Sequence, residues 1–184
     1  MRDSSSDSSL SRILQESLDV TVALEAKLLN LISITMALGY YTVEGPWGGA
    51  GGKQWTDGTY GDIKRITLKV GDVIDSIQVQ YQLLGRNEGM SVNAPLHGGE
   101  GGSEVQIAFT TSGEYVTKIK GTTKNYYGNI VVTSLTIISN VKTYGPYGKG
   151  GGDTFESKGD GKIVGFHGRA GDSLDQIGVY TYHF

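Results

Sequence analysis

The stretch Gly48-Gly49-Ala50-Gly51-Gly52 decides the fold because it does not stand alone. It returns as Gly98-Gly99-Glu100-Gly101-Gly102 and again as Gly148-Lys149-Gly150-Gly151-Gly152, each copy 50 residues after the one before. A second element keeps the same frame. Gly71-Asp72-Val73-Ile74-Asp75 comes back 100 residues later as Gly171-Asp172-Ser173-Leu174-Asp175. Between them stands Gly121-Thr122-Thr123-Lys124-Asn125, where Asn replaces the closing Asp. Each GxxxD-type element starts 19 residues after its glycine cluster ends. One glycine cluster says little. Three in register, each with a partner at a fixed offset, establish an internal threefold repeat. Units this small cannot each bury a core, so the three are expected to close around a shared axis.

Between these punctuation marks lie short runs rich in β-branched and aromatic residues. They are Ile63–Val70, Ile77–Tyr81, Val105–Phe109, Ile130–Ile138 and Ile163–Phe166. Runs of that kind bounded by Gly, Asn and Asp read as strands, and many of them read as an all-β sandwich, barrel or prism. Residues 1–39 differ: of the 29 glycines only Gly39 precedes residue 45. The opening MRDSSSDSSLS is polar and reads as disordered. The apolar positions Leu10, Ile13, Leu14, Leu18, Val22, Leu28, Leu31 and Ile32 then follow helical spacing. The expected organisation is an N-terminal extension over 1–39, partly helical or disordered, and one domain over 40–184.

Composition narrows the function. With 16 Lys+Arg against 19 Asp+Glu, there is no basic footprint for nucleic acid. There is no cysteine, and the three histidines, His97, His167 and His183, carry no metal-binding spacing, so no metal or cofactor is expected. A calcium site on Asp72, Asp75 and Glu100 lacks the dense alternation of acids such loops need. Gly148-Lys149-Gly150 lacks the Ser/Thr of a phosphate loop, and no histidine has a nucleophile and an acid beside it in sequence. The run Leu28–Leu38 is too short and too interrupted to span a membrane. No signal peptide is read, so the cytoplasm or nucleus is the expected compartment.

Glycine runs expose N–H donors and let another molecule approach the main chain, while the closing Asp of GxxxD offers an acceptor-only carboxylate. Donors facing a fixed acceptor suit a polyol. Each part also has a plainer reading: a glycine loop can be a turn, and a turn Asp can cap its own backbone.

The pieces GPWGGAGG at 45–52, GGEGG at 98–102, KTYGPYGKGGG at 142–152 and IVGFHGRAGDSLDQIGVY at 163–180, in that order, resemble the jacalin-related lectins over roughly residues 40–184. The resemblance implies a β-prism of three four-stranded Greek-key sheets, with the first and last strands in one sheet. It implies a sugar site at Gly52 with Gly171, Asp172, Ser173, Leu174 and Asp175. There the main-chain N–H groups of Gly52, Asp172 and Ser173 donate and Asp175 accepts. By likeness to mannose-binding members it implies a second site at Gly71, Asp72, Val73, Ile74 and Asp75 with Gly102. The third position, Asn125 beside Gly148–Gly152, has lost its carboxylate and is expected not to bind. The resemblance points to a non-catalytic lectin for mannose- or glucose-type glycans that forms a homodimer or homotetramer, and to plant defence. No aromatic stands within Asp172-Ser173-Leu174, which by the same resemblance favours mannose or glucose. Cleavage near Gly52, whose Gly-Lys-Gln-Trp resembles the new terminus of the galactose-binding branch, would favour galactose. The other alternative is a β-prism scaffold for protein interaction.

Overall fold

The computed structural model of the chain describes residues 4–85 and 89–184, with side chains described at 9–31 and from 39 onward outside that gap. The chain divides into two compact units, Met1–Tyr40 with Phe184, and Tyr41–His183.

The first unit holds one helix, α1 (Ser4–Leu38). The Ser-rich opening expected to be disordered is helical from Ser4. Serine and aspartate cost a helix only tenths of a kcal/mol each, about 0.5 relative to alanine, and an established helix propagates cheaply. No helix among the described residues is long and apolar enough to cross a membrane.

The second unit is all-β. Its strands are β1 (Tyr40–Gly48), β2 (Lys53–Thr56), β3 (Asp62–Val70), β4 (Ile74–Gln82), β5 (Ser91–Asn93), β6 (His97–Gly98), β7 (Ser103–Ala108), β8 (Val116–Tyr126), β9 (Asn129–Ser139), β10 (Thr143–Tyr147), β11 (Asp153–Glu156), β12 (Lys162–Ala170) and β13 (Leu174–His183). They form three sheets, in the orders β1-β13-β12-β2, β10-β9-β8-β11, and β5-β4-β3-β7 with β6 also on β4. One plan repeats. A long antiparallel hairpin (β3–β4, β8–β9 or β12–β13) forms each centre. Two strands joined by a glycine cluster flank it (β6 and β7, β10 and β11, β1 and β2). The copy built on β12–β13 is closed by the two ends of the domain, since β1 and β2 pair with β13 and β12. This is the β-prism.

The inward side chains of all three sheets make one core. Ile66, Leu68 and Ile77 come from the β3–β4 sheet, Ile119, Leu135 and Ile137 from the β8–β9 sheet, and Phe166, Ile177 and Val179 from the β12–β13 sheet. Each of these is essentially inaccessible to solvent. A polar cluster joins two sheets at the core's edge. The buried carboxylate of Asp57 accepts from Tyr81 Oη at 2.6 Å and meets His97 Nε2 at 2.7 Å. Trp55 stacks on the His97 ring with centroids 3.9 Å apart. Nothing in the local sequence marks Asp57 as the acid partner of this histidine, because the two lie 40 residues apart. Buried beneath an indole, the pair serves packing and holds the strand that leads into the second glycine cluster.

Candidate functional site

The two intact GxxxD elements are the three-residue turns of central hairpins. Val70 pairs with Ile74, and Ala170 with Leu174. Gly71 N–H donates to the Val73 carbonyl at 3.0 Å, and Gly171 N–H to the Ser173 carbonyl at 3.0 Å. Each turn meets the glycine cluster of its own sheet, and the geometry repeats almost atom for atom. Gly49 N–H donates to the Asp175 carbonyl at 2.9 Å, and Gly99 N–H to the Asp75 carbonyl at 3.0 Å.

The glycines are required because the carboxylate fills the space where a side chain would begin. A Cβ on Gly51 would stand 2.3 Å from Asp175 Oδ1, and one on Gly101 2.8 Å from Asp75 Oδ1. A Cβ on Gly52 would lie 2.5 Å from Asp175 Oδ2, and one on Gly102 2.6 Å from Asp75 Oδ2. Gly52 and Gly102 also sit at φ +56° and +70°, where side chains are strained.

Each carboxylate is thus pressed into a cradle of backbone. Asp75 Oδ2 and Asp175 Oδ2 are both buried, and neither has a hydrogen-bond partner among the described residues. Burial is the main cause that raises both carboxyls above the ordinary aspartate value. The Gly71 and Gly171 amides oppose the rise, and the neighbouring Asp72 and Asp172 carboxylates add to it. Arg169 pulls Asp175 back down, a help that Asp75 lacks. An orphaned buried acceptor costs about 1–3 kcal/mol until a donor reaches it. A hydroxyl brought into the cradle is such a donor.

The sequence-predicted residues of the first site come together. Gly52, Gly171, Asp172, Ser173 and Asp175 line one pocket of about 380 Å³. Leu174 and Ile74 turn their side chains into the core and Val73 is buried, so in each turn these contribute backbone only.

The third repeat departs from expectation. Gly121–Asn125 is not a turn beside the third glycine cluster; it lies inside β8, which runs on to Tyr126. The hairpin is longer by several residues and turns at Tyr127 (φ 49°) and Gly128, where Asn125 Oδ1 accepts from the Gly128 amide at 2.9 Å. The place of Asp75 and Asp175 is taken by Thr133, not Asn125. A Cβ on Gly148 would press on the Thr133 carbonyl just as one on Gly48 or Gly98 would press on that of Asp175 or Asp75. The Thr133 hydroxyl donates to the Gly151 carbonyl at 2.9 Å and also meets Thr122 Oγ1, so this position offers neither a carboxylate nor an unsatisfied acceptor.

Several contributors escaped the sequence reading. Tyr126, Tyr127 and Asn129 of the lengthened hairpin line the pocket of the first site. Arg169 grips the first glycine cluster, with Nε to the Gly51 carbonyl and Nη2 to the Gly52 carbonyl, both at 2.8 Å. Its counterpart Lys69 reaches the Glu100 carbonyl at 3.4 Å and pairs with the Glu100 carboxylate. The signal was present, since a cation stands two residues before each intact GxxxD. Lys149 reaches from the third cluster to the second site, Nζ 2.5 Å from Asp72 Oδ1 and its amide 3.4 Å from the Asp72 carbonyl. Among the described residues no group of three or more His, Asp or Glu could hold a metal ion.

The chain is similar to known proteins. The chain is 40% identical over 162 residues to an agglutinin of Castanea crenata (83% of this chain, 50% of that one). It is 40% identical over 146 residues to jacalin-related lectin 19 of Arabidopsis thaliana (74% and 77%). Against jacalin-related lectin 3 of Arabidopsis thaliana it is 42% identical but spans only 24% of that protein, so several relatives are much longer than this chain. Among solved structures, wild-type Malaysian banana lectin superposes with a TM-score of 0.71 at 36% identity (77% of this chain, 98% of that one). A mannose-binding jacalin-related lectin from Ananas comosus gives 0.69 at 35% (78% and 97%), and an artocarpin–mannotriose complex gives 0.69 at 34% (78% and 97%). The profile of the jacalin-like lectin domain matches residues 44–180, the span that carries all three glycine clusters and both cradled aspartates, and the chain belongs to that family.

Proposed function

We propose that this chain binds mannose- or glucose-type glycans at two sites, one built on Asp175 and one on Asp75, without chemical conversion of the sugar. One observation carries the reading: two buried carboxylate oxygens, 100 residues apart in sequence, lie orphaned in matching glycine cradles. A hexose meets each cradle with its 4- and 6-hydroxyls. These donate to the aspartate, and the ring and hydroxyl oxygens accept from turn amides. Among the described residues, the amides of Gly52, Asp172 and Ser173 in the first site find no backbone acceptor, and the same is true of Gly102, Asp72 and Val73 in the second. The mannose-binding relatives of the same fold support the choice of sugar.

Titration calorimetry with methyl α-mannoside, with methyl α-galactoside for comparison, tests this. Two mannoside sites per chain with little response to galactoside are expected. A single site would remove the Asp75 assignment, and a preference for galactoside would overturn the sugar class.

A further inference from the structure

The first unit presents a feature that sugar binding does not explain. Every residue of α1 from 9 to 31 is exposed, including nine large apolar side chains between Leu10 and Leu29. Their placement is not random. Leu10, Leu14, Ser17, Thr21, Leu24 and Leu28 follow the alternating four- and three-residue steps of a heptad seam. Ile13, Leu18 and Val20 flank that seam, and each apolar member of seam and flank is 56–69% exposed. The polar pairs lie on the other side, a face that also carries Val22 and Leu29. Arg12 bonds Glu16 at 3.1 Å and Gln15 bonds Asp19 at 3.0 Å, both along the face opposite the seam.

We propose that this face is an interface between copies of the chain, in which the α1 helices pair along the Leu10–Leu28 seam. A 3.5-residue repeat is self-complementary: it keeps one stripe facing an identical helix over several turns, whereas an irregular partner surface imposes no such period. The area agrees. Burying a leucine-sized side chain removes roughly 60–120 Å² from water, so the seven apolar side chains of seam and flank on each of two helices remove on the order of 1,000 Å², the threshold for a specific interface. A single helix in water gains nothing from such a stripe and leaves a large apolar patch uncovered. Ser17 and Thr21 sit together in the middle of the seam, where polar positions fix register at a cost in stability. The lectin domain would thereby gain valency independent of its sheets, and multivalent glycan surfaces would be held far more tightly than single sugars.

Sedimentation equilibrium of the full chain at micromolar concentration tests the proposal. The wild type is expected at a multiple of 19.7 kDa. L14E/L24E, which places charge on the seam, is expected at the monomer mass with its near-ultraviolet aromatic signal intact. A23E/A26E, which adds the same charge on the opposite face, should keep the wild-type mass. Mannan-coated surfaces should release L14E/L24E on the order of 100-fold faster, with methyl α-mannoside affinity unchanged. A monomeric wild type overturns the proposal. So does an oligomer that L14E/L24E leaves intact, which would place association on residues 41–183. A monomer that instead floats with phosphatidylcholine–phosphatidylserine vesicles overturns it too and would assign the face to a lipid surface.

Discussion

The Asp175 and Asp75 sites share a skeleton and differ in everything around it. Around Asp175, an arginine fork holds two carbonyls of the glycine cluster, and the long β8–β9 hairpin raises Tyr126 and Tyr127 as a wall. Around Asp75, a lysine holds one carbonyl more loosely, and Lys149 from the next cluster neutralises Asp72. The difference arises because the units interlock. Gly49 packs against Ile130, Gly99 against the Asp172 carbonyl, and Lys149 against Asp72, so each cluster also touches the hairpin of another unit. The cradle is therefore inherited from a site's own sheet, and the surroundings come from its neighbours. The repeat built on β8–β9 has no such cradle and supplies surroundings to both the others.

The largest effect should come from removing what the two sites share. D175A and D75A should each abolish one mannoside site, and the double variant both, a loss of at least about 100-fold per site if the carboxylate supplies two charge-assisted hydrogen bonds. Calorimetric stoichiometry should fall from two to one to none. Full mannan binding by the double variant would refute the assignment.

Next comes the cradle. G51A and G101A each force a Cβ against a carboxylate oxygen, and the approach is closer at Gly51. Both should weaken their own site by at least about tenfold, or about 1.4 kcal/mol, with the greater loss at the Asp175 site. Equal small losses would show that the loops yield.

The carboxyls supply a test in pH. Both are raised by burial, so on acidification they take up protons before an ordinary aspartate does. Mannoside affinity should therefore fall at both sites at a pH above the usual aspartate range. Stability of the free protein runs the opposite way. In the window between the unfolded value and the raised folded value the native state binds more protons than the unfolded chain. The contribution of these two groups is therefore full below the unfolded value and is lost as pH rises through the folded value. Melting temperature against pH, with and without mannoside, should show the ligand-induced increment shrinking on acidification.

Smaller effects should tell the two surroundings apart. R169K keeps the charge and loses the fork, and should weaken only the Asp175 site by about three- to tenfold. Lys149 and Asp72 are both largely exposed, so K149A should change affinity at the Asp75 site by no more than a few-fold at low salt, an effect that vanishes at high salt. An effect of K149A on the Asp175 site would contradict separate surroundings.

Much of this was legible in the chain. The spacing of the glycine clusters announced the three sheets, and Asp75 and Asp175 in one frame announced the two cradles. Backbone geometry of this kind needs glycine and aspartate at fixed positions, so it leaves marks that survive in the letters. The third hairpin did not read correctly, because Gly121 and Asn125 fall in frame by coincidence. Gly121 is glycine for another reason: a Cβ there would meet the Ser134 carbonyl at 2.1 Å and the Phe155 ring at 2.7 Å. The residue that replaces the aspartate, Thr133, belongs to the far side of a lengthened hairpin, and no constant offset reaches it. Contacts between units, such as Lys149 to Asp72, join positions far apart and carry no local pattern at all.

The closure of one sheet by both ends of the domain separates the two sites in the order of folding. Gly71 and Gly102 are 31 residues apart, so the Asp75 cradle can assemble within one unit as a nearly local event. Gly52 and Gly171 are 119 residues apart, and the Asp175 cradle exists only after β2 has found β12. The longer closure costs about 1.2 kcal/mol more in chain entropy, and non-local pairings of this kind form late. Sugar capacity should therefore mature in two steps during refolding. The first step uses contacts made within β3 to β7 as the shared core condenses, and the second reports that β2 has joined β12.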